Sequence, residues 1–163
     1  MIIIMNAVIT GAVAQETATA SSSATIVSPI GIAQSVDMNF GNVATNGTGG
    51  TVVLTTGGST SITGGVTLPA NTGTVTAAAF AVTGEADYTY TIALPSGAIT
   101  LEDGAGTPNQ MTVGTFVSDP LTTGALTSGA QTVNVGATLN VAGGQIAGTY
   151  TNTTDLTVTV NYN

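Results

Sequence analysis

Gly148-Thr-Tyr-Thr-Asn-Thr-Thr-Asp-Leu-Thr-Val-Thr-Val-Asn-Tyr-Asn163 decides the fold class. From Leu156 onward the stretch alternates strictly: Leu156, Val158, Val160 and Tyr162 project one way, and Thr157, Thr159 and Asn161 the other. A period of two is the mark of a β-strand with one buried face. The pattern runs to the last residue of the sequence. The strand's neighbours are therefore expected either earlier in the chain or in another molecule.

Working outward, the same period recurs. Gln131–Val141 is the longest alternating run, with Val133, Val135, Ala137, Leu139 and Val141 on one face. Tyr88–Leu94 alternates cleanly as well, Tyr88, Tyr90, Ile92 and Leu94 facing inward. Gln34–Val43 offers Val36, Met38 and Phe40 to a core, and Ala24–Ile32 reads as a strand that Pro29 bends or confines to an edge. Shorter strands are predicted at Thr51–Thr55, around Val66 and Leu68, at Ile99 and Leu101, and from Met111 to Phe116. Within Thr74–Gly84 the apolar face switches between Ala79 and Phe80, which predicts a bulge or break. Gly-Gly pairs, Pro69, Pro95-Ser96-Gly97 and Asp119-Pro120 separate these runs. About nine or ten short strands with frequent turn signals and no helix predict an all-β fold, a sandwich or barrel.

Composition agrees. The chain has 163 residues, 42% of them apolar and mostly Ala and Val, with 22 glycines, three Phe and no Trp. Its length suits one domain, two at most, with a real core. Eight acidic residues face no Lys, Arg or His, a net charge of −8. Such a chain repels phosphate backbones and anionic bilayer surfaces, which argues against nucleic-acid and membrane-surface partners. Cysteine is absent, so stability must come from burial, backbone hydrogen bonding or assembly. A Lys–Asn isopeptide crosslink is impossible without lysine.

Chemistry is sparse. Ser and Thr abound, but no His or Lys stands ready to activate a hydroxyl as a nucleophile. A His/Cys metal site is impossible, and the Gly-Gly pairs sit between strands rather than opening a phosphate-binding helix. The paired carboxylates Glu85/Asp87 and Glu102/Asp103 are the acid–base or Ca²⁺ candidates. Their blander reading is as solvated loop charges that keep a neutral surface soluble. Asn46-Gly47-Thr48 and Asn152-Thr153-Thr154 fit the glycosylation triplet, as chance allows in a Thr/Asn-rich chain. No catalytic residue, metal ligand or cofactor is expected, and no enzymatic activity.

The beginning of the chain divides in two. Residues 1–14, MIIIMNAVITGAVA, are apolar and too short to span a bilayer, which takes about 20 residues. Ala12-Val13-Ala14 before Gln15 has the A-x-A pattern of a signal-peptide cleavage site, although no basic residue precedes the apolar run. Residues 15–27 form a small, polar extension in which Ala18, Ala20, Ser22, Ala24 and Ile26 share one face of an extended chain. Residues 28–163 make up the β-sandwich domain.

Three pieces carry a resemblance: the Ala/Thr/Ser segment running into Ala24-Thr-Ile-Val-Ser-Pro-Ile30, Met38-Asn-Phe-Gly-Asn42, and Gly148-Thr-Tyr150 followed by the final alternating strand with Tyr162 penultimate. Their order resembles an uncharacterised family of secreted, Gly/Thr-rich bacterial domains and, more distantly, spore-coat-protein-U-like and chaperone–usher pilin subunits. The chain departs from the pilins in lacking a cysteine pair and in its glycine-richer loops. The resemblance implies an incomplete immunoglobulin-like sandwich whose missing strand is supplied by the next subunit's extension. Ala18, Ala20, Ala24 and Ile26 are then the donor residues, and Leu156, Val158, Val160 and Tyr162 the acceptor groove. An extended peptide added to a sheet edge gains main-chain hydrogen bonds and side-chain pockets, and head-to-tail addition builds filaments. The expected partners are copies of the chain itself and a secretion chaperone or usher, at an extracellular or cell-surface location. The alternative is a monomeric adhesin or a carbohydrate- or calcium-binding module, with the extension folded onto its own domain.

Overall fold

The computed structural model describes Gly11, residues 14–105 and residues 109–163. The expected signal-peptide remnant lies, except for Gly11 and Ala14, outside the described residues. Twelve strands follow in order: β1 (Gly31–Val36), β2 (Asn39–Phe40), β3 (Ala44–Leu54), β4 (Thr60–Thr67), β5 (Val75–Thr76), β6 (Ala78–Thr83), β7 (Thr89–Ala93), β8 (Ile99–Glu102), β9 (Gln110–Asp119), β10 (Thr123–Ala125), β11 (Ala130–Val141) and β12 (Thr159–Tyr162). The described residues contain no α-helix, only a single 3₁₀ turn at Thr127–Gly129. The all-β expectation holds.

The organising strand is β11, where the longest alternating run falls. Its odd-numbered residues Val133, Val135, Ala137, Leu139 and Val141 are all buried, as their alternation predicts. Every strand pairing is antiparallel. On one edge β11 pairs first with β6, through residues 130–135, and then with β3, through residues 137–141. On the other edge it pairs with β9 over 134–140, and β9 in turn pairs with β8. β1 extends the sheet beyond β6, and β4 extends it beyond β3. Gly136 sits where β6 hands over to β3: a Cβ there would lie 2.3 Å from the Leu54 carbonyl oxygen. Only a residue without a side chain admits both neighbours to one edge.

Two apolar clusters lie along the buried face of β11. Near its start, Val133 and Val135 join Ala78, Phe80 and Val82 of β6 against Tyr90 and Ile92 of β7, Val160 of β12 and Leu126. Here the small sheet β10–β7–β12 covers the large one, in two layers. Near its end, Ala137, Leu139 and Val141 pack with Val52, Leu54, Val66, Val113 and Phe40. That half of the sheet curls upon itself as a half-barrel, and Phe40 and Val75 of the β2–β5 ribbon pack against its cluster. Met38 and Phe116 touch both clusters.

Several predicted boundaries are corrected. Ala44–Gly50, left between the runs predicted at Gln34–Val43 and Thr51–Thr55, is instead the start of β3, with a register shift between Thr45 and Gly50 that absorbs its glycines. β4 runs unbroken through Gly64-Gly65. The break expected at Ala79/Phe80 falls at Ala77, between β5 and β6. The Gln34–Val43 run is interrupted at Asp37-Met38, and Val36, expected inside, is 40% exposed because the β1–β6 register shifts after Gln34. In β9 the shift from Val113 to Phe116 is a bulge, with Thr115 at φ 50°.

Candidate functional site

The sequence singles out the N-terminal extension and the last strand, and the structure brings their junction together. Among the described residues no strand precedes Gly31, so the expected strand at Ala24–Ile32 is corrected to one that starts seven residues later. Small side chains bury too little surface to hold residues 15–26 against a sheet, and Pro29 lacks the N–H that a ladder needs. All residues from Gln15 to Ile26 are exposed, including Ala18, Ala20 and Ala24. Ile26 is 97% exposed, the most of any large apolar side chain among the described residues.

The extension is held where it leaves the fold. The Tyr162 hydroxyl donates to the Ser28 carbonyl at 2.9 Å and accepts from the Glu85 N–H at 2.6 Å. The Glu85 carboxylate accepts from the Ser28 N–H at 2.9 Å. Gly84 makes room for this node, since a Cβ there would lie 2.2 Å from the Tyr162 hydroxyl oxygen. Tyr88 meets the Tyr162 ring edge-on, centroids 5.6 Å apart. The backbone hydrogen bond from Ser28 holds the Glu85 carboxyl below the usual carboxylate range. Both main-chain groups of Ser28 are thus tied, and its position before a proline keeps it extended. Residues 15–26 ahead of it are exposed.

The last strand occupies the opposite layer. Val160 is buried, whereas Leu156, Val158 and Tyr162 are half-buried against the cluster under β7 and β12. Only Thr159–Tyr162 joins a ladder, pairing with Ala93–Tyr90 of β7, so the strand is shorter than its alternation predicts. Ahead of it, Asn152 ties the chain to β8 by donating to the Thr100 carbonyl at 2.8 Å, and Thr151 exchanges two backbone hydrogen bonds with Glu102. That tether at the edge of β8 draws residues 152–158 away from β7.

These elements leave one flank open. β12 pairs with β7 alone and β1 with β6 alone, so each carries an unpaired outer edge. The two edges approach each other antiparallel. Ser28 stands by Tyr162 at one end, and Met38 and Leu156 line a common groove at the other. Ile32 pairs with Val82 and Gln34 with Phe80, so both project from the face that carries the core. Val82 is completely buried, yet Ile32 is 36% exposed and Gln34 is exposed. The core face of β1 therefore extends beyond the cover that β12 provides.

At the Met38–Leu156 end the flank widens into a groove of about 700 Å³. Phe40, Ile99, Leu101, Met111, Val113 and Leu139 make its apolar floor, and the Gly148–Thr153 segment forms one wall. This groove was not legible in the sequence. Its floor comes from β2, β8, β9 and β11, each of which reads locally as an ordinary core strand.

The carboxylate pairs do not converge on a common cleft. Glu85 serves Ser28, while Asp87 stands in a turn at φ 64° and its N–H donates to Leu126. Glu102 accepts from Gln110 at 2.7 Å. Asp103 accepts from Asn109 and from the Ala105 N–H, and the Asn109 side chain above all keeps its carboxyl below the ordinary range. Among the described residues no cluster of three or more acidic, His or Cys side chains is placed to hold a metal ion. None of their helices is long and apolar enough to cross a membrane. The buried Tyr90 hydroxyl, pushed up by desolvation, donates to Gln131 at 2.8 Å and serves the core.

Among curated proteins and among solved structures, nothing matches the chain. Residues 30–162, which include the open flank and the groove but not the exposed extension, match a domain of unknown function, DUF4402. The match spans most of the sequence, and the chain belongs to the DUF4402 family.

Proposed function

We propose that the protein is a pilin-like structural subunit of an extracellular filament, an incomplete immunoglobulin-like sandwich that polymerises by donor-strand exchange. The observation that carries this reading is a mismatch within one molecule. Core-facing Ile32 is only partly covered, 36% exposed, near the unpaired edge of β12, while every residue of Gln15–Ile26 is exposed. From Thr17 to Ile26 the extension carries no charge, so burying it leaves no uncompensated ion. An extended segment laid against β12 would satisfy that edge and cover the core face of β1. Supplied by a neighbour, it links copies head to tail in a geometry that does not close. An uncovered flank before assembly also calls for a temporary occupant, the role of a secretion chaperone or usher.

Deletion of Gln15–Ile26 tests the reading. The truncated chain should fold with an unchanged melting temperature, because the deleted residues are exposed, and should not form filaments by electron microscopy. Native filaments from the truncated chain would overturn it.

A further inference from the structure

β4 is the outermost strand of the large sheet and pairs with β3 alone. The hairpin that opens it sets the phase of its hydrogen bonds. The Thr55 N–H donates to the Ser59 carbonyl at 2.9 Å. Bonded and unbonded pairs alternate along an antiparallel ladder. Leu54 and Thr60 are therefore an unbonded pair, Val53 and Ser61 a bonded one, and Val52 and Ile62 unbonded again. The main-chain groups of Thr60 and Ile62 thus point away from β3, to the free edge. The side chains leave the same edge uncovered. Val52 is fully buried, yet its cross-strand partner Ile62 is 40% exposed, and Ser61, Thr63 and Gly64 are exposed as well. The regular part of the edge ends at Gly64, which turns to φ 66°.

Such an edge is a template for another strand, and proteins usually guard it with charge, proline or a covering segment. The edge of β8 is guarded, because Thr151 exchanges backbone hydrogen bonds with Glu102. β10 follows Asp119-Pro120. β4 holds neither acid nor proline, and no acid lies anywhere between Asp37 and Glu85, although the chain carries a net charge of −8. Two copies repel each other through their acidic elements, and the neutral β3–β4 hairpin adds nothing to that repulsion. We propose that the free edge of β4 pairs with the same edge of a second copy across a two-fold axis. A two-fold perpendicular to the sheet sets the two strands antiparallel, as β3–β4 and β11–β3 are, and makes a self-complementary contact that closes. Within the regular part of the edge, Thr60 stands opposite Ile62 of the copy and Ser61 opposite Ser61. Both Thr60–Ile62 pairs are then bonded, and each Ile62 side chain lies beside the other copy's Thr60. An edge of this length makes a small interface, in the weak class below about 1,200 Å². It lies at the other end of the sheet order from β1, and it does not rest on the donor-strand reading.

The chain has no native cysteine, so Ser61→Cys introduces a single thiol, which can link only two chains whatever else they assemble into. Ser61 and its copy form an unbonded pair, the kind in which side chains stand closest. Under mild oxidation of the concentrated full chain, Ser61→Cys should give a disulfide dimer at least tenfold faster than Ser96→Cys, an exposed control in the turn between β7 and β8. Equal rates would overturn the proposal. Adding Ile62→Asp to Ser61→Cys sets like charges beside the axis and should bring the rate down to that of the control. Undiminished crosslinking would contradict the pairing. A second measurement uses the unmodified chain. As its concentration rises, amide exchange at Thr60 and Ile62 should slow at least twofold, and further in added salt, which screens the repulsion between copies. The Ser61 amide, already bonded to Val53, should not change. Exchange at Thr60 and Ile62 that is independent of concentration would overturn the proposal without any substitution.

Discussion

The two halves of β11 carry the same alternating pattern and meet different fates. Along residues 130–135 a second sheet lies over the strand, and Val133, Val135, Tyr90 and Leu126 are sealed from solvent. Along residues 137–141 the large sheet curls on itself with Phe40 of β2 packed against it, and Leu139 shares the floor of a groove with the half-buried Ile99, Leu101 and Met111. Both halves are buried along β11, but the first is sealed beneath a second sheet and the second underlies a groove. Residue type does not decide between them. The reach of β7 and β12 does.

The largest effect that separates the halves should come from truncating their apolar side chains. Leu126→Ala in the covered half should lose about 2–5 kcal/mol, the usual range for a sealed leucine. Leu101→Ala at the groove, already half-solvated, should lose about 1 kcal/mol. Urea unfolding of the two variants checks this, and equal losses would mean that the groove is closed in solution. Next in size, Gly136→Ala should lose about 1–3 kcal/mol, since the added methyl meets the Leu54 carbonyl at the boundary between the halves. Thermal unfolding would show it, and a neutral result would place the β6-to-β3 handover elsewhere.

Smaller still, Tyr162→Phe should lose about 1 kcal/mol. It removes the hydrogen bonds to Ser28 and Glu85 that close the narrow end of the open flank. Hydrogen exchange at Ser28 and Glu85 should rise, with the Tyr90 region unchanged.

The least of the effects is set by pH. The Glu85 carboxyl is depressed in the folded state. Its contribution is therefore complete above the ordinary glutamate range and is lost as pH falls through its lowered folded value. Exchange of the Ser28 amide should accelerate over that acidic window, and Glu85→Gln should remove most of the dependence. Acid sensitivity that persists in Glu85→Gln would assign it to another group.

Much of the fold was legible because the period of two survives Thr/Gly bias. Gln131–Val141, Tyr88–Leu94 and the end of the chain all became strands with their predicted faces largely intact. What failed were boundaries set by long-range contacts. Nothing local tells that Ala44–Gly50 pairs across a bulge with β4, or that the edge of β8 captures Thr151 and Asn152. For the site, the exposed extension and Tyr162 could be read from alternation and position. Its node with Ser28 and Glu85, and the groove floor, could not, because they join residues far apart in sequence.

The most direct test adds a synthetic Thr17–Val27 peptide to the chain lacking Gln15–Ile26 and follows amide hydrogen exchange. The account predicts saturable binding of one peptide per chain, with slowed exchange at the β12 amides that do not face β7 and in β1 around Ile32. Unchanged exchange along both edges at saturating peptide would contradict it.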